Sequence, residues 1–332
     1  MTIQPPKIST SKYQNKEIIL AFFILLFFIP NFAFTQCCST GSPVGASVYV
    51  GVLQPKDLRV IAYYRHNYSD TYFEGSEKNT ENNILKYSKY NFGGFAFSYG
   101  ITKRLTAEAA FGYFFNKTQY FANNDTSFSV KGYGLSNGAV TLKYGAYIQP
   151  SKQIELTLGL GFMYPFSRTP QSVDGAQVPR DLQPSTNSFA LTGLLFFNKG
   201  FEAASMRLFS INRYDYNFSD PAGYQYGSVL MNSIFISRKI IPYFFGIIQF
   251  RSEYRWQDNY NGKTEQNTGN FLLIFSPQLT YSIVKKWNLS VLCDIPVYKN
   301  YNGKQLTPKY SVAVALTRDI SLAKKSKVFS TN

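Results

Sequence analysis

The sequence predicts an all-β fold: a transmembrane antiparallel barrel of about 12 strands, within a range of about 10 to 14, with short periplasmic turns and long extracellular loops. Three observations predict it. They are an export signal with no helical span behind it, runs of alternating polarity, and tight connections at a regular spacing.

The export signal comes first. Lys7, Lys12 and Lys16 precede the apolar run Ile18 to Ile29, which is followed by Pro30 and by Ala33-Phe34-Thr35-Gln36. A basic region, an apolar region and a small-residue site in that order form a signal peptide, here 1–35. The apolar run is about half of the ~20 residues a membrane-spanning helix needs. No later segment approaches ~18 consecutive apolar residues, so an integral protein would have to cross as a closed barrel.

Composition agrees. Aromatic residues make up 17% of the 332, with 26 Tyr and 30 Phe, yet mean hydropathy is only −0.18. Alternating lipid-facing and lumen-facing positions dilute the membrane signal in this way. In Gln153 to Tyr164, Ile154, Leu156, Leu158, Leu160 and Phe162 share one face, while Gln153, Glu155, Thr157, Gly159 and Gly161 share the other. An apolar exterior around a polar interior inverts a soluble sandwich or lipocalin-like barrel, the alternative that also alternates.

The connections set the strand count. Thr102-Lys103-Arg104, Gln149-Pro150-Ser151-Lys152, Asn198-Lys199-Gly200, Arg238-Lys239-Ile240-Ile241-Pro242 and Val284-Lys285-Lys286 start 47, 49, 40 and 46 residues apart. Each interval holds two strands and one longer loop. The outer loops are then Tyr68 to Lys86, Lys117 to Ser136, Pro165 to Thr186, Tyr214 to Tyr226, Trp256 to Asn270 and Lys299 to Pro308, with Phe128 to Tyr133 a short extra strand. An even count puts both termini in the periplasm. The chain divides into the signal, a periplasmic leader or plug at 36–56, a barrel at 57–320 and a basic tail at 321–332.

The net charge of +15 is spread along the chain rather than gathered into a stripe, which argues against a nucleic-acid partner. Charged side chains are costly on a lipid face, so face assignment sends them inward. The lumen-lining candidates are Arg59, Arg65, Glu108, Lys143, Glu155, Arg251, Glu253, Arg255 and Asp294, joined by Asp57, Arg207 and Arg213. Seven basic groups against five acidic ones imply a mild anion preference if the lumen is open, or a salt-bridged filling if it is not.

Cys37, Cys38 and Cys293 are an odd set for an oxidising compartment. The adjacent pair Cys37-Cys38 is a candidate for a vicinal disulfide, a soft-metal site or, were Cys37 the first mature residue, a lipid anchor. With one histidine and no second cysteine pair, neither a metal centre nor a cofactor is expected. That histidine, His66, lies near Ser69 and Asp70, but residues three apart on a strand face opposite sides, which disfavours a lipid hydrolase.

Three hairpin phrases carry a resemblance: Tyr99-Gly100-Ile101-Thr102-Lys103-Arg104-Leu105, Gly138-Ala139-Val140-Thr141-Leu142-Lys143-Tyr144 and Asn302-Gly303-Lys304-Gln305-Leu306. They resemble the outer-membrane transporter-like barrels associated with uptake of phenol and related aromatic compounds, broadly similar to long-chain fatty acid transporters. The segment Cys37 to Glu74 is similar to leaders of uncharacterised barrels of Bacteroidota. The resemblance implies an outer-membrane channel passing a small-molecule solute, with outer-membrane lipid, lipopolysaccharide and the barrel assembly machinery as partners. A structural or surface-interaction barrel binding through its outer loops is the second expectation.

Overall fold

The computed structural model describes residues 51–322, apart from Asn82, Arg168, Asp174 and Lys285. The expected signal peptide, Cys37, Cys38 and nearly all of the basic tail lie outside the described residues.

Ten strands follow one another around a sheet: β1 (Asp57–Gly75), β2 (Leu85–Gly100), β3 (Leu105–Ala122), β4 (Gly138–Gln149), β5 (Ile154–Tyr164), β6 (Ala190–Phe201), β7 (Met206–Asn217), β8 (Val229–Ile241), β9 (Phe244–Arg255) and β10 (Asn270–Val284). The last element, Trp287–Ser321, pairs antiparallel with β10 through 287–301 and with β1 through 301–321. A closed ring in which every neighbour is antiparallel needs an even number of strands, so this element must reverse within itself. It does so at Asn302-Gly303, where Gly303 has φ +71°, a backbone conformation that glycine adopts without strain. Its limbs 287–301 and 304–321 are β11 and β12. Ten strands and two limbs make a twelve-stranded barrel, closed by β1 and β12 from Asp57 opposite Ser321 to Gly75 opposite Tyr301.

The barrel is inside out relative to a soluble protein. On β5, Leu158, Leu160 and Phe162 are exposed, Leu160 by 77%, while Thr157, next to Leu158, is fully buried. On β8, Ile234 and Ile236 face out and Ser233 faces in. Apolar side chains turned outward around a polar interior are stable only in lipid, and closure leaves no strand edge unpaired. The chain is a multi-pass β-barrel of the outer membrane. Leu160→Arg is therefore expected to destabilise the folded barrel by about 2–4 kcal/mol, read from urea titration of the vesicle-inserted protein. A change below about 0.5 kcal/mol would place Leu160 outside the apolar band.

Two turns differ from the sequence reading. Asn198-Lys199-Gly200 is not a turn: β6 runs on to Phe201, and the chain reverses in the 3₁₀ turn Glu202–Ala204. Gly200 is needed for proximity instead, because a Cβ there would lie 1.8 Å from Gln153 Oε1. Likewise β8 continues through Ile241, and the turn is carried by Pro242 and Tyr243, the latter at φ +70°.

The outer ends also differ. β1 extends to Gly75 and β7 to Asn217, so the loops are shorter than the turn residues suggested. The strand Ser127–Leu135 pairs with the outer part of β3, prolonging the β3–β4 hairpin beyond the membrane.

Candidate functional site: the barrel lumen

Inward positions alternate along every strand, and each element contributes a recognisable strip. On β1 the inward residues are Arg59, Ile61, Tyr63, Arg65, Asn67 and Ser69, all at odd positions. β2 supplies Tyr90, Phe92, Gly94, Ala96 and Ser98 from even positions.

Two apolar faces result. Ile61, Tyr63, Phe92, Ala96 and Ala315 form one, with Tyr90, Ala110 and Phe114 against it. Leu194, Phe196, Phe209, Ile211 and Phe235 form the other on β6 to β8, where the rings of Phe209 and Phe235 stack at 4.4 Å. In a ring of twelve strands, β2 and β8 lie on opposite sides. Below the second face a cavity of about 490 Å³ opens, lined by Phe196, Phe209, Phe245 and Ile247 with Arg207 and Lys239.

Glycines hold the first face flat. A Cβ at Gly94 would meet the Tyr63 ring at 2.4 Å, and one at Gly112 would meet the Phe92 ring at 2.1 Å. Both rings therefore lie along the wall, over the neighbouring strand's missing side chains, rather than projecting inward. Gly112→Val is expected to push the Phe92 ring toward the axis and reduce unitary conductance, while the folded barrel persists. Unchanged conductance would show that this face does not border the path.

Ionic groups cross the lumen between these faces. Asp294 on β11 lies with its Oδ2 3.2 Å from both Arg65 Nη1 on β1 and Arg251 Nη2 on β9, and its Oδ1 accepts from Ser276 Oγ. One carboxylate thus ties together strands four places apart in the ring. Arg65 is 6% exposed, and among the described residues its Nε and Nη2 have no hydrogen-bond partner. Glu253 Oε2 stands 4.0 Å from Arg251 Nε.

Other pairs are more local. Lys143 Nζ reaches Glu108 Oε2 at 2.6 Å, and Ser98 Oγ donates to the same oxygen. Arg59 pairs with Asp319 through two contacts of 2.6 and 2.8 Å. Arg213 pairs with Asp215 at 2.9 Å, and Arg255 with Asp258 at 3.0 Å.

Asp215 and Asp258 escape face assignment because they fall in segments that read as outer loops, and Asp319 because it follows the last run of alternating polarity. Their presence removes the basic excess: Arg59, Arg213 and Arg255 each have a carboxylate of their own. His66 and Ser69 do not meet. His66 Nδ1 lies 2.8 Å from Asn91 Oδ1 on the outer wall, whereas Ser69 is fully buried on the inner one.

The described end of the leader touches the lumen. Val52 N donates to Glu155 Oε1 at 2.7 Å, and Leu53 N donates to Thr106 Oγ1 at 2.8 Å. Both acceptors face inward, so residues 51–56 run along the inner face of the periplasmic rim. A Cβ at Gly51 would sit 1.8 Å from Glu155 Oε1, so a larger residue there would have to displace the carboxylate that holds Val52 N.

The β5–β6 loop lies over the opposite mouth. Val178 and Leu182 are 2% and 1% exposed, and Gln183 is buried beside them. On one side Lys117 Nζ donates to Gln183 O, and Asn137 Oδ1 accepts from Ser185 Oγ and Thr186 N. On the other side Arg180 Nη1 meets Asp220 Oδ2 at 2.8 Å, and its guanidinium stacks 4.0 Å from the Tyr224 ring. Tyr224 Oη in turn donates to Asp258 Oδ2 at 2.6 Å, linking three loops. Burial works against the Arg180 charge, but the hydrogen bond and charge of Asp220 outweigh it and raise its pKa. Burial pushes the phenols of Tyr224 and Tyr226 well up, reinforced at Tyr224 by the hydrogen bond to Asp258.

No protein-family model and no curated protein matches the chain. Among solved structures, an outer-membrane channel from Pseudomonas putida F1 is similar over 84% of this chain and 100% of that one, with a TM-score of 0.64 at 10% identity. The NanC porin covers 79% of this chain and 98% of its own at TM-score 0.43 and 14% identity. The toluene transporter TodX of P. putida covers 82% and 94% at TM-score 0.40 and 9% identity. The first likeness shows the barrel fold; the other two are too distant to carry an argument.

Proposed function

We propose that the chain is a gated channel through which a small solute crosses the outer membrane without being chemically changed. The observation that carries this reading is the interior: a twelve-stranded wall lined by paired charges, hydroxyls and two aromatic faces. A barrel serving only as a scaffold would be stabilised as well by a packed apolar filling, because buried ion pairs contribute little net stability. The likeness to an outer-membrane channel agrees with this reading.

Pairing makes the path near neutral rather than basic, so weak ion selectivity is the expected behaviour in place of the mild anion preference that the unpaired count implies. The inner strap at residues 51–56 and the outer loop 165–189 narrow the two mouths. The test is single-channel recording from the refolded chain beginning at Gln36. Small, weakly selective, flickering conductance supports the proposal. A folded barrel that stays silent, even after the outer loop is shortened, refutes it and favours a surface-binding barrel.

A further inference from the structure

On the outer wall, β12, β1, β2 and β3 carry a patch of stacked tyrosines and lysines. Tyr68 is eleven residues beyond Asp57 on β1. At ~3.3 Å per residue and a tilt of ~40°, it stands about 28 Å above the strand's start, at the upper edge of an apolar band ~25 Å tall. At this level the register places Tyr310, Tyr68, Lys89, Thr118 and Lys131 side by side across successive strands.

Immediately above lies a second row, in which Tyr87 faces Tyr120 and their rings stack at 5.0 Å with 17° between planes. Tyr68 stacks between Tyr87 and Tyr310, at 5.9 Å from each. The patch is therefore a continuous tyrosine ladder four strands wide. Below it, His66, Asn91 and Asn116 also face outward, with Asn91 Nδ2 donating to Asn116 Oδ1. Polar groups on a lipid face are costly unless they sit at a headgroup level.

The charges point one way. Lys309 is matched by Asp70, but Lys89 and Lys131 form no ion pair among the described residues; Lys89 rests over the Tyr87 ring at 5.5 Å. The two lysines flank the buried Thr118 in one row, their stems on apolar surface and their ammonium groups free to reach the interface.

From this we infer that the patch binds the phosphorylated sugar headgroup of an outer-leaflet glycolipid. Lys89 and Lys131 hold phosphate as charge-assisted donors, and the tyrosine ladder receives the sugar rings. Phosphate recognition alone would need no ladder, and a purely aromatic interfacial belt would need no paired lysines. The inference rests on the outer-membrane placement, not on the channel proposal.

The test uses the full refolded protein and three probes: bisphosphorylated lipid A, the same lipid with its phosphates removed, and phosphatidylglycerol. Retention of each probe through detergent exchange is read by native mass spectrometry. Wild type should retain bisphosphorylated lipid A preferentially. The double variant Lys89→Gln/Lys131→Gln should lose about thirty-fold in affinity. Lys103→Gln, in a periplasmic turn, serves as the control and should bind as wild type does.

A heat-modifiable gel shift verifies that each variant folds, and its conductance should match wild type. Equal retention by wild type and the double variant, equal retention of the phosphate-free lipid or of phosphatidylglycerol, or no retention at all would each overturn the inference. A wild type that retains the lipid yet never conducts would count against the channel proposal alone.

Discussion

Replacing Asp294 by Asn is expected to lower the stability of the folded barrel by about 3–5 kcal/mol and to turn its weak selectivity toward anions. The amide keeps the shape of the carboxylate but removes the charge that faces both Arg65 and Arg251 at 3.2 Å. Two guanidinium groups would then share a buried site without that carboxylate between them, with Glu253 4.0 Å from Arg251. Urea titration in vesicles reads the first effect and reversal potential under a salt gradient reads the second. The triple replacement Arg65→Met/Arg251→Met/Asp294→Leu should recover most of the stability, since a well-packed apolar trio avoids desolvating charge. Destabilisation under about 1 kcal/mol would mean that these arginines are already hydrated, as in a surface pair.

The second large effect concerns the outer loop. Replacing residues 169–183 by a short Gly-Ser linker removes Arg180, Val178 and Leu182 together and should raise unitary conductance at least about five-fold. Arg180→Ala should produce part of that gain by releasing the contact with Asp220 and the stack on Tyr224. If conductance is unchanged in both, the constriction lies elsewhere, with the ionic cluster around Asp294 as the next candidate.

The same loops predict an alkaline transition. The folded-state pKa values of Tyr224 and Tyr226 are raised, chiefly by burial. The neutral phenols are therefore favoured in the closed arrangement, and their stabilising contribution is complete below the ordinary tyrosine value of about 10. It falls as pH rises beyond that value, because the open state loses its protons first. Proteolysis of the 165–189 loop should accelerate as pH rises above about 10, and Tyr224→Phe should blunt the change.

Much of the architecture was legible because lipid imposes a strict rule on one face of each strand. Ile154 to Phe162 announces that rule in five alternate residues, and the same alternation brought Arg65, Lys143, Glu155 and Arg251 onto the inner face of their strands. Strand ends were less legible. Asn198-Lys199-Gly200 has turn chemistry, yet Gly200 answers to the approach of Gln153 from the next hairpin, a contact 47 residues away. Asp215 and Asp258 escaped notice for the same reason, lying where local composition reads as loop.

Pairing across the ring left no local trace at all. Arg65 and Asp294 belong to β1 and β11, which flank β12 and come within reach only when the sheet closes, and nothing near either residue in sequence names the other. The outer loop was obscured differently: Val178 and Leu182 are isolated apolar residues among Pro, Gln and Ser, with no periodicity to mark them as buried.

The pairing of β1 with β12 carries a consequence for how the molecule comes into being. The ladder from Asp57 to Gly75 cannot form until the chain has been completed to Ser321, so an eleven-strand precursor presents two long unsatisfied edges at once. Such edges template aggregation, and joining segments so remote in sequence is slow. Biogenesis must therefore shield both edges until the final hairpin arrives. Once joined, the two ends stay together: Leu322 N donates to Lys56 O at 2.8 Å. The seam that forms last could be moved to any periplasmic turn by circular permutation, which would alter the order of assembly while keeping every ladder of the finished barrel.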